Sequence, residues 1–151
     1  MTPNVWIVPV NFNGTDDTRK CLRSLAALSP RASVVLVDNA SDPDPTPALR
    51  AEFPWAHVVR NPANGGWSGG NNTGIRYALA RGATHVLLLN NDTTVAPNLV
   101  ARLLRAFEAH PRFGVIGPVI RYMDEPDVVM TDGVTFNPPG YPGFFRRQEV
   151  P

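Results

Sequence analysis

The chain has 151 residues, 43% of them apolar, and a formal net charge of +1. That is ordinary globular composition for one domain and excludes a general nucleic-acid footprint. A single cysteine, Cys21, excludes an internal disulfide, and no apolar run approaches the roughly 20 residues of a membrane span.

Val5 to Val10 reads as a first strand, with Pro9 late in it, and Asn11-Phe12-Asn13-Gly14 as a turn. Thr15 or Asp16 can cap a helix to about Leu28, whose Cys21, Leu22, Leu25 and Leu28 share one face and bury the cysteine. Ser33 to Val37 is a second strand ending in Asp38-Asn39. A proline-rich loop, a short helix near Ala48 to Phe53 and a short strand at Ala56 to Arg60 follow. The segment 61–74 holds five glycines and four asparagines in fourteen residues. It reads as a loop whose bare backbone can approach a ligand, feeding a helix that starts near Asn71 and Asn72 and carries Ile75, Ala78 and Leu79 on one face. It lacks the Lys-Ser/Thr of a P-loop and the spacing of a dinucleotide fingerprint. His85 to Leu89 is a buried strand that stops abruptly at Asn90-Asn91-Asp92. Pro97 fits the first turn of a helix with Leu99, Val100, Leu103, Leu104 and Phe107 as its buried stripe. Gly114 to Ile120 and Val128 to Thr135 read as two more strands. The end, 136–151, is rich in proline and aromatics without a period and reads as a loop or arm, leaving residues 1–135 as the domain.

Strands alternating with helices give βαβ units, hence an α/β fold with a mostly parallel sheet and helices on both faces. Ligands of such sheets bind at the carboxyl ends of the strands. Asn11-Phe12-Asn13, Asp38-Asn39, the glycine segment and Asn91-Asp92 all follow strands, so they converge on one rim. An amide and a carboxylate at a strand mouth suit a hard divalent cation shared with a substrate phosphate; the plainer alternative is a helix-capping turn. The rim therefore points to a phosphorylated, nucleotide-like ligand plus a divalent ion. His57, His85 and His110 are not at metal-ligand spacing. Trp67 either stacks on a sugar or anchors its loop.

Val8-Pro9-Val10-Asn11-Phe12-Asn13, Val37-Asp38-Asn39-Ala40-Ser41, Asn64-Gly65-Gly66-Trp67-Ser68-Gly69-Gly70-Asn71-Asn72-Thr73-Gly74 and Leu88-Leu89-Asn90-Asn91-Asp92 occur in an order and spacing that resembles family-2 glycosyltransferases of the GT-A fold. The likeness is greatest to the bacterial rhamnosyltransferase-like branch and spans Val5 to Ile120. It implies a Rossmann-like sheet and transfer of a sugar from a nucleoside-diphosphate sugar, with dTDP-rhamnose favoured by the branch, to a cell-envelope, polysaccharide or lipid-linked acceptor. It implies that Asn11 and Phe12 flank the base, that Asp38 and Asn39 face base and ribose, and that Asn64, Gly69 and Asn71 line the sugar-diphosphate side. Asn91 then lies near ribose or diphosphate, and Asp92 holds Mg2+ or Mn2+ as the DxD-like ligand. Asn39 and Asn90 depart from the more acidic forms of these motifs. The catalytic residue is not identified: the family's base lies in a later Glu-Asp segment, and Glu149 is the only carboxylate after Gly133. Asp124, Glu125, Asp127 and Asp132 are substitutes or solvated loop charges. The chain is expected to be the donor-binding portion of a longer, metal-dependent enzyme. A non-catalytic nucleotide-sugar-binding module is the alternative. No nucleic-acid partner is expected; self-association is. The expected place is the cytoplasm, at the inner face of the membrane.

Overall fold

A computed structural model describes residues 2–132, 134–137, 141–144 and 148–149, with side chains to Asp132. The chain divides into two compact units, Met1–Val100 and Ala101–Pro151.

The first unit is a four-stranded parallel sheet of β1 (Val5–Asn11), β2 (Ser33–Asp38), β3 (His57–Arg60) and β4 (His85–Asn90), in the order β3-β2-β1-β4. The connecting helices are α1 (Thr15–Ala26), α2 (Thr46–Glu52) and α3 (Gly66–Leu79). The path steps from β1 to β2 to β3 in one direction, then crosses back to place β4 on the other side of β1. Right-handed crossovers therefore put α1 and α2 on one face and α3 on the other. Trp6 and Val8 of β1, Val35 and Val37 of β2, and Ala78 of α3 form one buried cluster. The alternate residues Ile7, Val34 and Leu36 are also fully buried and point to the α1 and α2 face. Burying β1 and β2 on both faces explains their continuous apolar runs. Cys21 is buried, as its helix face predicts.

Two expectations fail here for instructive reasons. The glycine segment is not a loop: α3 begins at Gly66, five residues before Asn71. Its glycines let the helix lie against the central strand. A Cβ on Gly70 would sit 2.5 Å from Val10 Cγ1, and one on Gly74 2.2 Å from Val8 Cγ1. The buried face of α3 is accordingly Gly70, Asn71, Gly74 and Ala78, while Leu79 is 57% exposed. Nor is β4 a buried strand: among the described residues it pairs with β1 alone, and Leu88 is 38% exposed.

The helix after Pro97 is α4 (Leu99–Ala109), which runs across the boundary between the units; only Val100 of its stripe is fully buried, the other four being half-buried. In the second unit the expected Gly114–Ile120 strand shrinks to β5 (Ile120–Arg121). It pairs with β6 (Val128–Thr131), which also pairs with β9 (Gln148–Glu149). The expected C-terminal loop contains a hairpin of β7 (Val134–Asn137) and β8 (Tyr141–Phe144). Pro142 and Gly143 within β8 disguised it, since both are poor strand residues. No helix among the described residues is long and apolar enough to cross a membrane.

Candidate functional site

The reversal of strand order falls between β1 and β4, so the crevice for a ligand lies at their carboxyl ends. Three hydrogen-bond networks build that rim.

The first surrounds Asp38, whose carboxylate is completely buried at the end of β2. Oδ1 accepts from Asn11 Nδ2 at 2.8 Å and Ser41 Oγ at 2.6 Å. Oδ2 accepts from Arg60 Nη1 at 2.6 Å and the Ser41 backbone N–H at 3.2 Å. Arg60 is the register partner of Asp38 on β3, and its Nη2 donates to Ser41 O at 2.8 Å. A buried charge survives only with such pairing. The same guanidinium lies 3.0 Å from Asp44. The Asp44 carboxyl is held below its ordinary range by the Thr46 backbone N–H first and by Arg60 among the weaker causes.

The second centres on Asn39, 2% exposed. Its Nδ2 donates to Asn64 Oδ1 at 2.6 Å and Gly66 O at 3.0 Å; its Oδ1 accepts from Asn61 Nδ2 at 2.9 Å and the Gly65 N–H at 3.3 Å. All four bonds pin the turn that launches α3. Asn64 Oδ1 also accepts the Gly66 N–H at 2.8 Å, and Gly66 takes φ of +68°, which suits glycine.

The third joins β1 to β4. Asn91 Nδ2 donates to Gly14 O at 3.1 Å and Thr18 Oγ at 3.0 Å, with Asn11 Oδ1 at 3.5 Å. Asn11 Oδ1 also accepts from Thr18 Oγ at 2.9 Å and the Gly14 N–H at 3.2 Å. A Cβ at Gly14 would come within 2.9 Å of Asn91 Nδ2, so a larger residue there would displace the Asn91 amide from this network.

The predicted residues therefore separate. Asn11, Asp38 and Asn39 are buried and bonded to one another's surroundings, and Asn91 is half-buried with its amide turned inward. Asn71 is also buried: its Nδ2 donates to Trp67 O at 2.9 Å, and its Oδ1 has no partner among the described residues. Asn64 is exposed, Gly69 is half-buried with open space where a Cβ would stand, and Phe12 is 50% exposed. Asp92 is exposed just past the end of β4. Its charge reaches inward: burial, with a smaller contribution from Asp92, pushes the Cys21 thiol up to about 12.

Sequence reasoning missed Ser41, Thr18, Arg60 and Asn61 as organisers of the rim. Arg60 was discoverable, since aligned parallel strands put the end of β3 beside the end of β2. Asn90 was seen only as part of its motif, yet its Oδ1 accepts from Trp67 Nε1 at 3.0 Å. Among the described residues no group of three His, Cys, Asp or Glu could hold a metal by itself. A lone carboxylate fits a magnesium-like ion that shares its shell with water and substrate phosphates. In the second unit Asp124, Glu125, Asp127 and Asp132 are all exposed. The Tyr141 and Phe144 side chains and residues Phe145, Arg146 and Arg147 lie outside the described residues.

The model of the family described as "Glycosyl transferase family 2" matches residues 6–149. The succinoglycan biosynthesis protein ExoO of Rhizobium meliloti is 33% identical over 135 residues, 87% of this chain and 35% of that protein. The low-salt glycan biosynthesis hexosyltransferase Agl10 of Haloferax volcanii is 29% identical over 126 residues, 80% of this chain and 38% of that one. Among solved structures, the mannosyltransferase PcManGT from Pyrobaculum calidifontis, in complex with GDP-Man and Mn2+, superposes with a TM-score of 0.67 at 22% identity, covering 80% of this chain and 36% of its own. S. aureus TarS 1-349 in complex with UDP gives 0.61 at 18% identity, covering 87% and 40%. The chain thus spans about a third of the length of the curated relatives it matches, and its fold is the GT-A fold of these structural neighbours. With the match running through nearly every element of both units, the chain belongs to glycosyl transferase family 2.

Proposed function

We propose that the chain binds a nucleoside-diphosphate sugar at the β1–β4 rim and serves as the donor half of a sugar transferase. The observation that carries this reading is Asp92: it is the exposed carboxylate just past β4, beside the switch in strand order, while the other motif carboxylate, Asp38, is buried and fully bonded. Asp92 would hold a divalent cation against the diphosphate, and such an ion supplies Lewis-acid neutralisation of the leaving charge. Phe12, half exposed after β1, would lie against the base. Asn11, Asp38, Asn39 and Asn91 act by fixing the rim on which these groups stand.

In transfer, an acceptor hydroxyl oxygen bonds to the anomeric carbon as the carbon–oxygen bond to the diphosphate breaks. Its electron pair leaves with the nucleoside diphosphate, and the hydroxyl proton passes to a base. A cell-envelope or lipid-linked glycan is the proposed acceptor. The PcManGT complex with GDP-Man and Mn2+ and the TarS complex with UDP support a sugar-nucleotide donor, and the motif likeness favours dTDP-rhamnose among them. Calorimetric titration with UDP, GDP and dTDP, each with and without Mg2+ or Mn2+, tests the reading. Metal-enhanced binding of at least one is expected; equal affinity after chelation removes the metal-bridge role of Asp92.

A further inference from the structure

The rim carries one large aromatic that the proposed function leaves unused. Trp67 is the second residue of α3 and is 57% exposed, yet its indole N–H donates to Asn90 Oδ1 at 3.0 Å. The bond spans from the first turn of α3 to the last residue of β4. An exposed indole is ordinarily free to change rotamer. This one is held with its polar edge satisfied, which leaves its apolar faces as the surface on offer.

Gly69 lies two residues further along the helix. Gly70 and Gly74 are required by the packing of α3 on Val10 and Val8, and Gly66 by its positive φ. None of these reasons applies to Gly69: its φ is not positive, and an added Cβ would meet nothing within 4 Å. A glycine inside a helix is unfavourable relative to alanine. The packing of α3 therefore does not require this one, and two residues along the helix it faces away from the indole.

Resting on the donor-binding reading, we infer that Trp67 is a specificity-determining residue whose indole is the platform for the donor's pyranose ring. Asn90 positions the platform. Asn90 is two residues from Asp92, across a turn closed by the Thr93 N–H on Asn90 O at 3.3 Å, so the platform's anchor lies close to the carboxylate that faces the diphosphate. The C–H face of a pyranose is apolar and suits an indole face, whereas a nucleoside diphosphate without its sugar has nothing to place there.

The test compares UDP with UDP-GlcNAc, GDP with GDP-mannose and dTDP with dTDP-rhamnose by calorimetry on the full chain. For the pair that binds the unaltered protein, Trp67→Ala should weaken the sugar nucleotide about threefold to tenfold and leave the parent nucleotide within about twofold. Trp67→Phe should recover most of the loss, and Asn90→Ala should fall between them. Equal losses for nucleotide and sugar nucleotide in Trp67→Ala would make the indole an anchor for α3 and overturn the inference alone. An unchanged sugar-nucleotide affinity would do the same. Failure of the unaltered chain to bind any of the six compounds, with or without metal, would overturn the donor-binding reading and this inference with it.

Discussion

Asp38 and Asp92 occupy similar places in the sequence pattern, each following an apolar run that becomes a parallel strand. Their surroundings are opposite. Asp38 ends a strand flanked on both sides, is sealed from solvent and accepts four hydrogen bonds. Asp92 follows a strand that, among the described residues, is paired on one side only, and it stands exposed. A carboxylate at a strand end can thus hold the rim together or hold something against it. What separates the two roles is burial together with the number of lone pairs already used.

The largest expected effect tests the sealed side. Asp38→Ala strands Arg60, the Asn11 amide and the Ser41 hydroxyl without their common acceptor. Breaking a buried pair costs about 3–5 kcal/mol, and solvent at the partly exposed Arg60 brings the expectation to about 3 kcal/mol. Urea unfolding followed by circular dichroism measures it. Asp92→Ala, by contrast, should change stability by less than about 0.5 kcal/mol, as surface substitutions do. If both variants lost stability equally, the comparison would collapse.

A second variant asks whether the glycines next to this rim have distinct duties. Gly74→Ala forces a methyl into Val8, which is fully buried in the central strand and has nowhere to move. Overpacking of this kind costs about 1–3 kcal/mol, less up to about 1 kcal/mol returned by the better helix propensity of alanine. A lowered melting temperature for Gly74→Ala beside a raised one for Gly69→Ala would separate packing glycine from spare glycine. The open side gives the next effect. Asp92→Ala should abolish the gain in nucleoside-diphosphate affinity on adding Mg2+ or Mn2+, a loss of about tenfold for a charge-assisted contact. Calorimetry with and without chelator reads it, and a metal response that survives the substitution places the ion elsewhere.

Much of the fold was legible because its signals are local. Apolar runs in β1 and β2 and amphipathic spacing in α1 depend on burial that each element carries in its own sequence. The start of α3 was not legible, because glycine lowers helix propensity and the compensating contact is with Val8 and Val10, more than fifty residues earlier. The one-sided pairing of β4 among the described residues was hidden because an apolar run looks the same with one neighbour as with two. For the site, the pattern located the rim but could not sort its members. Asn11, Asn39 and Asn91 are chemically alike to the open Asn64 until their partners are known, and those partners lie on other elements. Trp67 and Asn90, 23 residues apart, meet only because α3 and β4 converge.

The smallest expected effect sharpens the comparison by separating bond number from burial. Glu52 accepts from Arg19 Nε at 2.8 Å and Arg23 Nη2 at 3.0 Å, so like Asp38 it is bonded through both oxygens, but it sits at the surface between α2 and α1. The hydrogen bond from Arg19 comes first among the causes that hold its carboxyl below the ordinary value of 4.5. A depressed folded-state value means that the pair's contribution is present above the unfolded value and is lost as pH falls through the folded one. Glu52→Gln should therefore lower the melting temperature slightly at pH 7. The difference from the unaltered chain should fade as pH falls below about 4.5. Asp44 titrates in the same direction in both proteins and cancels in that difference. Thermal melts of the two proteins across this range decide the point. A loss at neutral pH as large as that of Asp38→Ala would mean that the count of hydrogen bonds sets the cost. A small, acid-erased loss means that solvent at Glu52 replaces what the arginines give, as it cannot at the sealed end of β2.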